Sequence, residues 1–152
     1  MTRREPKPKD FSWISPYLTV RDAAKALAFY EQAFGFIPGN RMTGPDGTIQ
    51  HAEMKYKDIT IMFSPEGSYG STCRAPATSK VEPPSNLYVY CEDVDAMCAR
   101  AKQAGAVVRV EPNDAFWGDR FCQVVDPDGY VWVFATNIAD FDPAKASQAA
   151  AK

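Results

Sequence analysis

Histidine is almost missing from this chain: His51 is the only one in 152 residues. The four cysteines, Cys73, Cys91, Cys98 and Cys122, include no CxxC pair. A cysteine/histidine zinc site and a thioredoxin-like redox centre therefore lack their usual donors. Cys91 and Cys98 fall within apolar patterns, where a free cysteine acts as a small hydrophobe. This usage implies a reducing compartment, so a cytoplasmic location is expected. No stretch approaches the roughly 18 apolar residues of a membrane span. The basic opening Thr2-Arg3-Arg4-Glu5-Pro6-Lys7-Pro8-Lys9 has no apolar run behind it, so it is not expected to act as a secretory signal. Nor is one sign of charge in excess. With 17 basic and 19 acidic side chains, a net charge of -2 and a pI near 5.4, neither nucleic acid nor an anionic membrane is an expected partner.

What is present is an ordinary globular composition, 45% hydrophobic and 24% charged. A chain of this length fits one domain and buries enough surface to need no covalent staple. Residues 14–20 alternate as a strand does. Asp22 is placed to cap a helix through Phe34, with Ala23, Ala26, Leu27, Tyr30 and Phe34 on one face and Gly35 closing it. A weak strand near Phe36 precedes the turn Gly44-Pro45-Asp46-Gly47. Residues 48–56 and 59–63 then form a hairpin about Lys57-Asp58. After a proline-rich stretch, 65–85, the order recurs: strand 87–91, a helix from Asp93 to Gln103 closed by Gly105, strands 107–110 and 121–125, the turn Asp126-Pro127-Asp128-Gly129, and strand 130–136.

An offset of 71 residues superposes the halves and pairs Tyr17 with Tyr88, Asp22 with Asp93, Ala28 with Ala99, Gln32 with Gln103, Ala33 with Ala104, Gly47 with Gly118 and Phe63 with Phe134. Strand falls on strand, cap on cap and turn on turn. The expected fold is α+β: two βαβββ modules in pseudo-twofold repeat, forming a cleft-bearing half-barrel of mixed sheet. The expected organisation is an N-terminal extension (1–12), one domain (13–139) with modules of about 13–64 and 85–139 and a connector (65–84), and a flexible tail (140–152).

Tyr17-Leu18-Thr19-Val20-Arg21-Asp22-Ala23-Ala24-Lys25-Ala26-Leu27-Ala28-Phe29-Tyr30, followed by Ala33-Phe34-Gly35-Phe36, resembles the opening module of the vicinal oxygen chelate group, the glyoxalase/bleomycin-resistance/dioxygenase superfamily. Asp126-Pro127-Asp128-Gly129-Tyr130 resembles its closing turn. His51-Ala52-Glu53, Trp117-Gly118-Asp119-Arg120-Phe121 and Trp132-Val133-Phe134-Ala135-Thr136 look most like its PhnB-like branch. The resemblance implies a homodimer, and four metal-ligand positions that are usually His, Gln or Glu. Those positions fall here on Ser15, Met62, Asn86 and Val133. A hydroxyl, a thioether, an amide and an isopropyl group do not make a first-row metal site. No metal and no cofactor are expected.

Strand parity then suggests what lines the cleft. If the apolar residues face the helices, the opposite face carries Ser15, Tyr17, Thr19, His51, Glu53, Thr60, Met62, Asn86, Tyr88, Tyr90, Cys122, Val124, Val131 and Val133. The candidate ligand-binding residues are Tyr17, Thr19, His51, Glu53, Met62, Asn86, Tyr88, Tyr90, Trp117, Arg120 and Cys122. The tyrosines either stack on a ligand or merely fill the cleft or a dimer seam. His51 and Glu53, two apart on one strand, either act as acid and base or form a satisfied pair fixing register. Arg120 either meets an anionic ligand or pairs locally with Asp119, and Trp117 either caps the pocket or buries structurally. The leading expectation is a metal-independent protein that binds an aromatic or planar small molecule, in resistance or sequestration. The alternatives are a metal-free lyase- or isomerase-like enzyme using His51 and Glu53, and a divalent-metal glyoxalase or dioxygenase.

Overall fold

The computed structural model describes residues 4–150. The chain divides into two compact units, Met1–Ser79 and Lys80–Lys152. The first runs β1 (Tyr17–Val20), α1 (Ala23–Phe34), β2 (Ile37–Thr43), β3 (Ile49–Tyr56) and β4 (Ile59–Pro65), followed by a 3-10 turn (Ser68–Gly70) and a short helix α2 (Pro76–Ser79). The second runs β5 (Leu87–Tyr90), α3 (Val94–Gln103), β6 (Val107–Asp114), β7 (Asp119–Val125), β8 (Val131–Asn137) and α4 (Pro143–Ala150). Each unit holds a four-stranded mixed sheet, ordered β1-β4-β3-β2 in one and β5-β8-β7-β6 in the other. The outer pairs β1–β4 and β5–β8 are parallel and the remaining pairs antiparallel. The α+β class and the βαβββ order are those expected.

The helices start and stop where the sequence says. Asp22 accepts a hydrogen bond from Lys25 N at 3.0 Å, and Asp93 accepts one from Ala96 N at 3.0 Å. Such caps satisfy amides that a helix leaves unpaired at its start. Gly35 closes α1 at φ 69, where its amide and that of Phe36 reach back to Glu31 O and Tyr30 O. Ala23, Ala26, Leu27, Tyr30, Ala33 and Phe34 are buried against the sheet, and Tyr30 stacks on Phe34 with ring centroids 5.8 Å apart. Burying each large side chain contributes about 1.5–3 kcal/mol. α3 buries the smaller set Val94, Cys98 and Ala101.

Residues 65–85 are partly built. Glu66 accepts from Ala75 N at 2.9 Å and pairs with Arg74 at 3.2 Å. Bonds from Thr78 and Ala75 hold its carboxyl below the ordinary range. Ahead of β1, residues 10–12 lie along their own unit's sheet. Lys55 Nζ donates to Asp10 O and sits 4.4 Å from the Phe11 ring centre, and Ser12 Oγ accepts from Thr60 N at 3.3 Å. Residues 143–150 are helical, within the stretch expected to be a flexible tail. Among the described residues no helix is long and apolar enough to cross a membrane.

One feature of the repeat corrects the sequence reading. The 71-residue offset relates β1 to β5 and β4 to β8, but β3 and β7 differ by one residue less. Met62 pairs with Glu53, whereas its counterpart Val133 pairs with Gln123. The cause is the connecting turn. Tyr56 pairs with Ile59 across two residues, Lys57 and Asp58, with Lys57 at φ 50. In the second unit Asp126 N bonds Tyr130 O and Gly129 N bonds Asp126 O, with Gly129 at φ 91. That is a three-residue loop ending in a left-handed glycine. One extra loop residue moves every β7 side chain to the other face.

Candidate functional site

In the first unit Tyr17, Met62 and Glu53 lie side by side on the sheet face away from α1, with Thr19 beside Ser64 on the same face. Tyr17 Oη is 2.9 Å from His51 Nδ1 and 2.5 Å from Ser64 Oγ. His51 Nε2 stands 3.6 Å from Glu53 Oε1, and Asn40 Nδ2 donates to Glu53 Oε2 at 3.2 Å. A consistent assignment runs one way: Ser64 donates to Tyr17, Tyr17 to His51 Nδ1, and the Nε2–H points at Glu53. His51 and Glu53 are mostly shielded, with side chains 15% and 12% exposed. The row places a serine, a tyrosine, a histidine and a carboxylate in sequence along the sheet, hydrogen-bonded from Ser64 to His51 and with a 3.6 Å gap between His51 and Glu53.

The second unit's open face is built around one carboxylate. Asp119 Oδ2 accepts from Tyr88 Oη at 2.8 Å, Tyr90 Oη at 2.9 Å and Trp117 Nε1 at 3.1 Å. Its Oδ1 accepts from Asn137 Nδ2 at 3.0 Å. Asp119 is only 2% exposed, while Tyr88 and Tyr90 are 45% and 56% exposed. Burial alone would raise the Asp119 carboxyl, but the Asn137, Tyr88, Tyr90 and Trp117 donors outweigh it and hold it below the ordinary range. The phenols respond oppositely. Burial and the Asp119 charge push Tyr88 up to about 12, against the lowering effect of Trp117, and the bond to Asp119 raises Tyr90. Ring contacts extend the surface: Tyr88 to Tyr90 at 5.6 Å between centroids, and Trp117 to Phe116 and Phe121 at 5.1 Å each. The polar ends are clamped on the carboxylate, with the Tyr88 and Tyr90 side chains exposed and Trp117 half-buried.

The strand parity of β7 redistributes the expected residues. Asp119, Phe121 and Gln123 share the open face, while Arg120, Cys122 and Val124 face the helix side. Cys122 is fully buried, hydrogen-bonded with Cys98 of α3, and burial pushes its thiol up to about 12. Arg120 does not pair with Asp119, its expected local partner. Its guanidinium binds Asp95 of α3 through two nitrogens, at 2.7 and 2.8 Å, and Asp114 at 2.8 Å. Neighbours on a strand point to opposite faces, so the two cannot meet. Val124 likewise belongs to the core. Thr60, expected on the open face, is buried beneath the N-terminal segment, where Lys55 Nζ donates to its hydroxyl at 2.8 Å. Asn86 is exposed just ahead of β5. Asp119 as the hub was missed. Its signal in the sequence is a single acid after a glycine, opposite two tyrosines two residues apart.

The family-type metal positions do not suit a metal. Ser15 Oγ is 2.9 Å from Ser12 Oγ, Met62 offers a thioether, Asn86 an amide, and Val133 is buried hydrocarbon. His51 and Glu53 supply two donors, each also bonded elsewhere. Among the described residues no group of three or more His, Cys, Asp or Glu converges. The donor set does not fit a first-row divalent ion.

Residues 11–134 match the family described as Glyoxalase/Bleomycin resistance protein/Dioxygenase superfamily. The chain belongs to this superfamily. An uncharacterized protein of Mycobacterium tuberculosis (strain ATCC 25618 / H37Rv) is 36% identical over 142 residues, which cover 89% of this chain and 83% of that one. The crystal structure of TioX from Micromonospora sp. ML1 matches with a TM-score of 0.68 at 26% identity, over 84% of this chain and 99% of TioX. TnmS3, an antibiotic binding protein from Streptomyces sp. CB03234, matches with a TM-score of 0.58 at 25% identity, over 81% of this chain and 93% of TnmS3. Superfamily membership therefore rests on the sequence match, and the two-module fold on the structural ones.

Proposed function

We propose that this protein is a metal-independent binder of planar aromatic small molecules, serving sequestration or resistance. The observation that carries this reading is the ring surface of Tyr88, Tyr90 and Trp117, fixed from behind by Asp119. Ring faces held in place before binding lose little freedom when a ligand stacks on them. The likeness to TnmS3, an antibiotic binding protein, supports small-molecule binding as the role. The test is a fluorescence titration with polycyclic aromatic antibiotics in excess chelator. Saturable quenching is expected, and Trp117→Phe removes most of it and weakens affinity by about 3- to 10-fold. Quenching that requires an added divalent ion, or that survives Trp117→Phe unchanged, overturns the assignment.

A second reading rests on the Ser64–Tyr17–His51–Glu53 row: a metal-free enzyme in which His51 and Glu53 move a proton. Under it, His51→Ala lowers turnover in chelator by about 10²- to 10⁴-fold. An undiminished rate removes the role. A PhnB-like affiliation, a cytoplasmic location and a homodimer complete the proposal on resemblance and composition, and light scattering of the purified protein checks the dimer.

A further inference from the structure

We propose that the ring surface of the second unit selects planar ligands bearing a delocalised or quaternary positive charge, seated over Tyr88, Tyr90 and Trp117 in front of the Asp119 carboxylate. The proposal rests on the aromatic-ligand reading above and adds the charge of the ligand to it.

Asp119 has four hydrogen-bond partners: two phenols, an indole and a primary amide. None carries a charge. Its sequence neighbour Arg120, the nearest cation along the chain, lies on the other face and is held by Asp95 and Asp114. A buried carboxylate thus keeps its negative charge behind the exposed Tyr88 and Tyr90 and the half-buried Trp117. Charges buried in proteins are ordinarily paired, and the four donors that hold this one are neutral.

The arrangement has a direct effect on the rings. A phenol or indole that donates its hydrogen to a carboxylate gains electron density on its face, which strengthens attraction for a cation above it. The carboxylate also attracts that cation through space in a partly desolvated setting. Its oxygens already accept four bonds, so a compact, strongly hydrated cation finds little direct coordination there. A diffuse, weakly hydrated one needs only the ring faces. Quaternary ammonium recognition by aromatic side chains works on that basis. An anionic ligand of the same shape meets both the ring quadrupoles and the carboxylate unfavourably.

Three probes of nearly one shape separate the terms: N-methylquinolinium, 1-methylnaphthalene and 1-naphthoate. Each is titrated into the full chain while the Trp117 indole N–H and the backbone amides of 117–121 are followed by NMR. N-methylquinolinium is expected to bind about tenfold more tightly than 1-methylnaphthalene, with 1-naphthoate weakest. Equal or tighter binding of 1-methylnaphthalene overturns charge selection and leaves the aromatic-ligand reading standing. Failure of all three to shift Trp117 overturns both. The wild-type comparison needs no variant, so it decides the charge question even if a variant fails to fold. In Asp119→Asn the cation preference is expected to fall to within about twofold. A folded Asp119→Asn that keeps the tenfold preference overturns Asp119 as its source.

Discussion

Gly118→Ala is expected to lower stability by about 3–4 kcal/mol, a fall of roughly 10 °C in Tm for a chain this size. Gly118 sits at φ 100, a conformation that L side chains rarely adopt. A Cβ added there would stand 2.3 Å from Ala139 O and 3.1 Å from its carbonyl carbon, so backbone rather than a flexible side chain must move. The closeness has a purpose. Gly118 O accepts from Ile138 N at 2.9 Å, Ala139 N at 3.0 Å and Asn137 Nδ2 at 3.1 Å. Asn137 in turn donates to Asp119, whose other oxygen holds the two tyrosines and Trp117. Displacing Ala139 therefore loosens the carboxylate clamp, and ligand-induced quenching of Trp117 should weaken along with stability. Thermal unfolding and the antibiotic titration, run on the same preparation, check both halves. A stability loss under 1 kcal/mol would show that the close approach is not a constraint.

Asp126→Ala carries the other large effect, an expected loss of about 3–5 kcal/mol. Asp126 Oδ1 accepts from Asp128 N at 2.9 Å and Tyr130 N at 3.0 Å, and Oδ2 accepts from Trp132 Nε1 at 2.8 Å. Asp126 is buried and Trp132 fully so. Truncation leaves three donors without their acceptor, and a buried orphaned group costs about 1–3 kcal/mol. The costs overlap because water entering the gap re-satisfies part of the set. Asp126→Asn keeps one acceptor oxygen and should fall between wild type and alanine. Urea denaturation gives the order, and equal stabilities for Asn and Ala would reject the account.

Both variants concern features that sequence reasoning saw only in outline. The caps Asp22 and Asp93, the closing Gly35 and the order of strands were legible because each is a local rule with a fixed spacing. The class of the fold followed from them. The face of β7 was not legible. Phe121-Cys122-Gln123-Val124-Val125 carries apolar residues on both parities, with Gln123 as the one polar mark, and the extra loop residue before β8 is hidden inside a familiar Asp-Pro-Asp-Gly turn. Cys122 and Val124 were placed on the ligand side for that reason, whereas Arg120 was named for its charge. The Arg120–Asp119 pairing failed on a simpler ground, since adjacent strand residues diverge. In the first unit the alternation was clean, with Ala52 and Met54 inward, and His51 and Glu53 were found on the expected face. Asp119 escaped notice because a hub is defined by who converges on it. Tyr88, Tyr90, Trp117 and Asn137 come from three separate stretches of chain.

The unequal loops also limit how the two halves can exchange material. Recombination that replaced β7 alone by β3, aligned on the 71-residue spacing, would send His51 and Glu53 into the packing beneath α3, where Cys122 and Val124 now lie. Transfer of an entire hairpin, turn included, carries its own parity and keeps polar groups outward. The smallest interchangeable piece between the copies is therefore two strands with their connecting loop.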